Sequence, residues 1–375
     1  MVDNAAPTQG SPLRTTSKIL ARKTPASCRA WEVRKYISVF DPRQSTASVA
    51  VEYAAVTERV ALQVARLKGS GDPEESYTLA TETFRSELEK VPAAGKVAIL
   101  REQRIDERGR VRSLRTRPGI LSVGDSLGEG APELDLAVEP VEGLQLLVKG
   151  QEGSISAVAA APRGSMLRTP DMYMSKLIAG PGAQIDIDAS VAQNIEAIAE
   201  AAERRPAEIT VAVLDRDRHE NLIEEIRETG ARIQIRPEGD LTPAIAVGLR
   251  GSDLHAVIGI GGAPEGILAA AVMKCLGGEM EARMWPTQRS QVEQLKDYGL
   301  EDPERKLTLD DLIRGDDVVF AATGVTPGEP LKGVQYFRGG ARTNTVVMST
   351  APRVVRFMDT IHALEPEAGL RGFQI

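Results

Sequence analysis

The sequence predicts an α/β fold in which a largely parallel sheet is covered by helices. Three observations carry this expectation. Strand-like apolar runs alternate with helix-length segments between residues 209 and 322, which is the pattern of βαβ units. An amphipathic helical period begins near Ser48. Apolar residues make up 42% of the 375, enough for a sizeable core in two domains or in one large layered domain.

Composition excludes several function classes. Acidic residues number 53 and basic ones 46, a net charge of −7, so no basic footprint for nucleic acid is present. No run approaches the roughly 18 uncharged apolar residues of a membrane span, so no membrane partner is expected. Cys28 and Cys275 cannot form a disulfide framework, and no Cys/His cluster suggests zinc. A reducing cytoplasm is the expected compartment.

Residues 1–47 read as a separate basic tail. Up to Ala30 the only acid is Asp3, against Arg14, Lys18, Arg22, Lys23 and Arg29. Such a stretch buries too little apolar surface to offset its ordering entropy, so disorder is expected. An Arg- and Ser-rich, acid-poor start also fits an organelle transit peptide, which is the alternative.

The first helix follows from Val49, Tyr53, Val56, Val60, Val64 and Leu67, spaced by three and four. Gly69, Gly71 and Pro73 end it, and a second helix is expected over Tyr77–Lys90. Strands are predicted at Lys96–Leu100, Leu134–Val138 and Ile155–Ala160. The first leads into Glu102 and Asp106, the second into Glu139 and Glu142. Carboxylates at strand exits gather at one sheet edge, an arrangement suited to a cation. A boundary is expected at Gly180-Pro181-Gly182, dividing an N-terminal α+β half (48–180) from a C-terminal α/β half (181–375).

In the second half, strands are predicted at Ile209–Leu214, Arg232–Arg236, Ala256–Ile260 and Val318–Ala322. Helices are predicted at Arg218–Thr229, Pro243–Leu249 and Pro264–Leu276. Gly259-Ile-Gly-Gly-Ala-Pro-Glu-Gly266 follows a strand and opens a helix, with Pro264 suited to the first turn. It is neither a Walker A loop nor a dinucleotide fingerprint. Spacing alone leaves a phosphate loop at a helix start and a tight structural turn equally open.

Glu139-Pro-Val-Glu142-Gly143 is expected to turn at Pro140 and Gly143, so that two carboxylates face one site for a hard cation such as Mg²⁺ or Mn²⁺. A solvated acidic turn is the alternative. Arg216-Asp-Arg218-His219 offers guanidinium forks for phosphate. Glu238-Gly-Asp240 ends the next strand, and Thr323-Gly-Val-Thr326 another. A parallel sheet binds ligands beyond the carboxyl ends of its strands, so the four exits are expected to converge on one polyanion site. The three histidines have no metal-ligand spacing, and no Gly-x-Ser-x-Gly elbow is present.

These segments, together with Asp171-Met-Tyr-Met-Ser-Lys-Leu-Ile-Ala-Gly-Pro-Gly182, Val56-Thr-Glu58 and Gly71-Asp72, resemble the class II fructose-1,6-bisphosphatases over about Ser48 to Leu364. The resemblance implies a layered α/β/α/β/α sandwich shared with lithium-sensitive sugar and inositol phosphatases. It implies Mg²⁺- or Mn²⁺-dependent hydrolysis of fructose 1,6- or sedoheptulose 1,7-bisphosphate, and hence a phosphorylated sugar as partner in a homo-oligomeric enzyme. Carried over by position, Tyr173, Arg218, Asp240 and Gly262 contact the sugar phosphate. Arg216 replaces a Lys and Glu238 an Asp, both keeping their charge, and Gly143 is counted with them. Glu102, Glu142 and Glu265 match metal ligands, and Asp106 matches the acid that activates water.

The metal half departs from the family. Its Gly-Glu-Gly-Glu run reads Arg101-Glu-Gln-Arg104, and an Asp ligand of the first helical region appears as Tyr77. A second Asp has lengthened to Glu139, and a Thr hydroxyl is lost at Leu144. Tyr77 and Arg104 together shift the ligand charge by about three units. A two-metal site needs carboxylates to hold ions roughly 3.5–4 Å apart, so one ion or none is the expectation. Arg104 is then the expected clamp on phosphoryl oxygens. The resulting reading is a divergent sugar phosphatase, with a catalytically impaired sugar-phosphate binder or partner subunit as the alternative.

Overall fold

The computed structural model describes residues 45–101 and 119–364. The expectations for the basic tail up to residue 44, and for Glu102, Arg104 and Asp106, lie outside the described residues.

Helices α1 (Ala50–Val64) and α2 (Pro73–Leu88) come first. The second starts four residues before Tyr77, because Asp72 caps it through a 2.9 Å bond from the Glu75 amide and Pro73 occupies its first turn. Strands β1 (Ala94–Leu100), β2 (Ser126–Leu127) and β3 (Glu133–Glu142) follow, then the short helix α3 (Leu144–Val148) and strand β4 (Ile155–Pro162). Next come β5 (Tyr173–Ala179), α4 (Val191–Ala201), β6 (Thr210–Leu214), α5 (Glu220–Glu228), β7 (Arg232–Arg236) and α6 (Leu241–Gly248). Strand β8 (Ala256–Gly262), helix α7 (Ala263–Leu276) and strand β9 (Glu279–Trp285) lead to α8 (Arg289–Asp297), β10 (Leu307–Thr308) and α9 (Leu309–Leu312). Strands β11 (Val319–Gly324), β12 (Gln335–Phe337), β13 (Gly340–Thr350) and β14 (Arg353–Ala363) are the last described elements.

Two sheets result. One has eight strands in the order β12-β13-β11-β4-β3-β1-β2, with β14 paired to β13. The other has six, in the order β10-β9-β5-β8-β6-β7. Helices α1 and α2 cover the outer face of the first through Tyr53, Val60, Phe84 and Leu88. Helices α4 and α5 cover the outer face of the second through Ile195, Ile198 and Ile226. Between the sheets lies α7, which touches strands of both and whose middle, residues 267–273, is apolar on all sides, as a helix segment with no solvent face must be. The architecture is the layered α/β/α/β/α sandwich.

Four expectations differ from the structure. The six-stranded sheet is mixed: β6 pairs parallel with β7 and β8, but β5 enters antiparallel between β8 and β9, and β10 is antiparallel at the edge. The Val319–Gly324 strand belongs to the other sheet, between β4 and β13. Pro140 lies within β3, so only Gly143, with φ of 72°, turns the chain. The sheets also do not divide at Gly180. Tyr173–Ala179 precedes that point but joins the second sheet, whereas Val319–Ala363 follows it and completes the first. Among the described residues no helix is long and apolar enough to cross a membrane.

Candidate functional site

Strands β1 and β3 are parallel neighbours, so both end at one edge of the first sheet. Their exits face the carboxyl ends of β6, β7 and β8 across a polar cleft. Glu139, Glu142, Gly143 and Leu144 line it from the first sheet, with Arg101 beside them. Tyr173, Arg216, Arg218, Glu238, Asp240, Gly262 and Glu265 line it from the second. Every described residue that the resemblance assigned to metal or substrate therefore lines one cavity.

Residues three apart on a regular strand face opposite sides. Glu139 and Glu142 share the cleft because β3 bulges between them: Glu139 lies opposite Ala157 and Glu142 opposite Ile155, so the strand carries one residue more than its partner. Their environments differ. Glu139 is 1% exposed, and neither of its oxygens has a hydrogen-bond partner. Burial, reinforced by Glu265, pushes its carboxyl well above the usual range although Arg101 pulls the other way. Glu142 accepts bonds from the Leu241 amide (2.6 Å), the Thr242 amide (3.0 Å) and the Thr242 hydroxyl (2.8 Å). Burial and Asp240 still raise it to about 7.

Glu142 thus caps α6, the helix that follows β7. Glu238, at the exit of β7, returns the arrangement by accepting from the Gln145 amide at the start of α3, the helix that follows β3 (3.1 Å). The two loops hold each other across the cleft floor.

Two ion pairs rest on the β8 glycines. Arg101 Nη1 lies 3.1 Å from Glu265 and 3.7 Å from Asp171. Burial opposes its charge, but Glu265, Asp171, Glu139 and Asp240 outweigh burial and keep the guanidinium protonated. Its backbone is anchored by the Tyr77 hydroxyl, which donates to the Arg101 carbonyl (2.5 Å). Lys176, 2% exposed, pairs with Asp240 and donates to the Gly262 carbonyl (3.0 Å). A Cβ on Gly261 would overlap the Lys176–Asp240 pair, and one on Gly262 the Arg101–Glu265 pair. These glycines make room for buried charge.

The remaining cations are fixed by carbonyls. Arg216 donates to the Asp215 (2.6 Å) and Pro237 (2.9 Å) carbonyls. Arg218 donates to the Ile260 carbonyl through Nη2 (2.6 Å) and Nε (3.2 Å), and its guanidinium stands 4.7 Å from the centre of the exposed Tyr173 ring. His219 sits behind them, Nδ1 bonded to the Leu214 carbonyl (2.8 Å) and Nε2 accepting from the Ile260 amide (2.8 Å). The Thr323-Gly-Val-Thr326 loop does not line the cleft. Thr326 Oγ1 accepts from the Ser154 amide (2.9 Å) and Ser154 donates to the Gly143 carbonyl (2.7 Å), so the loop supports the Gly143 turn from behind.

Residues 47–362 match the family described as bacterial, glpX-encoded fructose-1,6-bisphosphatase. This chain belongs to the class II fructose-1,6-bisphosphatase family. A D-fructose 1,6-bisphosphatase class 2/sedoheptulose 1,7-bisphosphatase of Synechococcus sp. (strain JA-3-3Ab) is 37% identical over 339 residues, covering 83% of this chain and 94% of that protein. Proteins described in the same words from Thermosynechococcus vestitus and Gloeobacter violaceus are each 36% identical, covering 85% of this chain and 97% of their own length.

Class II enzymes as a family depend on metal, and the described residues do not fit a two-ion set. Among them no group of three His, Cys, Asp or Glu side chains is placed to hold an ion. Glu142 takes three donors on two oxygens. Glu265 is engaged by Arg101, and Leu144 lines the cleft with an apolar side chain. Among the described residues Glu139 alone is an unpartnered buried carboxylate. Reading the sequence by residue type singles out Arg104 and passes over Arg101, Asp171 and Lys176. The signal for Arg101 is its register: the last β1 residue, Leu100, pairs with Val138, next to Glu139.

Proposed function

We propose that the chain takes a sugar bisphosphate into this cleft and hydrolyses one of its phosphate esters, as its class II relatives are named for doing. The observation that carries the reading is the convergence of Arg216, Arg218, Tyr173, Glu238 and Asp240 at the ends of β5, β6 and β7. Guanidinium forks fixed by backbone carbonyls meet phosphate oxygens without further ordering. The Tyr173 ring offers a face to the sugar, and the carboxylates accept its hydroxyls. Hydrolysis is in-line attack of water on phosphorus, with the charge on the transferring group stabilised by fixed cations. Asp106, which activates water in the reading by resemblance, keeps that role here.

A second reading, binding without hydrolysis, is favoured by Arg101 on Glu265 and by the loss of a hydroxyl at Leu144. Phosphate release from fructose 1,6- and sedoheptulose 1,7-bisphosphate, each with Mg²⁺, with Mn²⁺ and with chelator, separates the two. Release from either substrate is expected. Silence in every arm, with calorimetric binding retained, would leave the binder.

A further inference from the structure

The acid cluster of the cleft already holds a cation of its own. Arg101 Nη1 reaches Glu265 and Asp171, and Glu139 stands beside it, 1% exposed and without a hydrogen-bond partner. Uncompensated buried carboxylates are costly, and a fixed guanidinium offsets several at once. Two neighbouring features fit this cation. Tyr77, itself 2% exposed, ties down the Arg101 carbonyl, so the two departures from the class II pattern touch and act as one unit. Gly262 leaves open the space that the Arg101–Glu265 pair fills. The guanidinium lines the same cleft as Arg216 and Arg218, and it carries five N–H donors in a fixed fork.

We propose that Arg101 is the resident cation of this cluster, standing in place of a divalent ion, and that a phosphate of the sugar bisphosphate meets its guanidinium directly. The second half rests on the sugar-phosphate reading above; the first does not. In consequence, uptake of the sugar phosphate is independent of metal.

The test uses the full chain, its Arg101→Gly variant and its Arg101→Lys variant, with two probes. Mn²⁺ alone, followed by loss of the free-ion electron paramagnetic resonance signal, reads the cation seat. Fructose 1,6-bisphosphate in chelator, followed by calorimetry, reads the phosphate contact. The expected results are no Mn²⁺ uptake by the native chain or Arg101→Lys, and uptake by Arg101→Gly. Bisphosphate binding in chelator should be unchanged when Mg²⁺ replaces the chelator, and should weaken about tenfold or more in Arg101→Gly, the loss of one charge-assisted fork.

Equal Mn²⁺ uptake by the native and Gly chains would overturn the seat. Native-like bisphosphate affinity in Arg101→Gly would overturn the contact. If no chain binds the bisphosphate under any condition, the contact and the sugar-phosphate reading fall together, while the Mn²⁺ result still decides the seat. Should Arg101→Gly not fold, Mn²⁺ uptake by the native chain overturns the seat and its absence supports it. Arg101→Lys then judges the contact by weaker binding with unchanged Mn²⁺ exclusion.

Discussion

His219 shows how a polar residue beside a binding cleft can serve it without entering it. Its ring bridges the Leu214 carbonyl and the Ile260 amide, which requires the neutral tautomer with hydrogen on Nδ1. Burial, with Arg218, Arg216 and Lys176 nearby, lowers its pKa from 6.5 although the Leu214 carbonyl favours the charged form. A histidine with a depressed folded pKa contributes stability that is fully present above the unfolded value and is lost as pH falls through about 6.5 toward the folded value. Thermal melts of the native chain and His219→Gln should therefore differ most above pH 7, and the difference should shrink as pH drops to 5. A difference that grows on acidification would mean that the ring is charged in the fold.

Among elements, the two loop–helix junctions across the cleft matter most, because they couple the sheets. Glu142 from the β3 exit caps α6, and Glu238 from the β7 exit meets the start of α3. Glu142→Ala leaves the buried Leu241 and Thr242 amides unpaired, at a cost of roughly 2–4 kcal/mol. Denaturant unfolding should show that loss, whereas Glu142→Gln, which keeps an acceptor, should recover about half of it. A cost below about 0.5 kcal/mol would show that water replaces the cap. These junctions also show where sequence reading runs out. The strand run at Arg232–Arg236 and the helix at Pro264–Leu276 were readable because apolar period and flanking glycines agree. The bulge in β3 was not, because Glu-Pro-Val-Glu-Gly reads as a turn until its partner β4 is known. Nor was β5, whose Tyr-Met-Ser-Lys run alternates weakly and gains its burial only between β8 and β9.

For the molecule as a whole, the convergence of strand exits was readable, since acids and arginines follow successive apolar runs. What each charge does was not. Glu265, expected as a metal ligand, holds Arg101, and Thr326, just past the end of β11, supports Gly143 from the far side through Ser154. Both outcomes depend on packing between sheets, which no local pattern encodes. The sandwich brings the ends of β1 and β3 against those of β6, β7 and β8, and the cleft exists only because of that meeting. A crystal structure of the full chain with fructose 1,6-bisphosphate examines it most directly. The account predicts the sugar against Tyr173, with its phosphates bound between Arg101 and the Arg216–Arg218 loop. A ligand bound elsewhere, or a cleft closed by its own ion pairs at saturating bisphosphate, would contradict it.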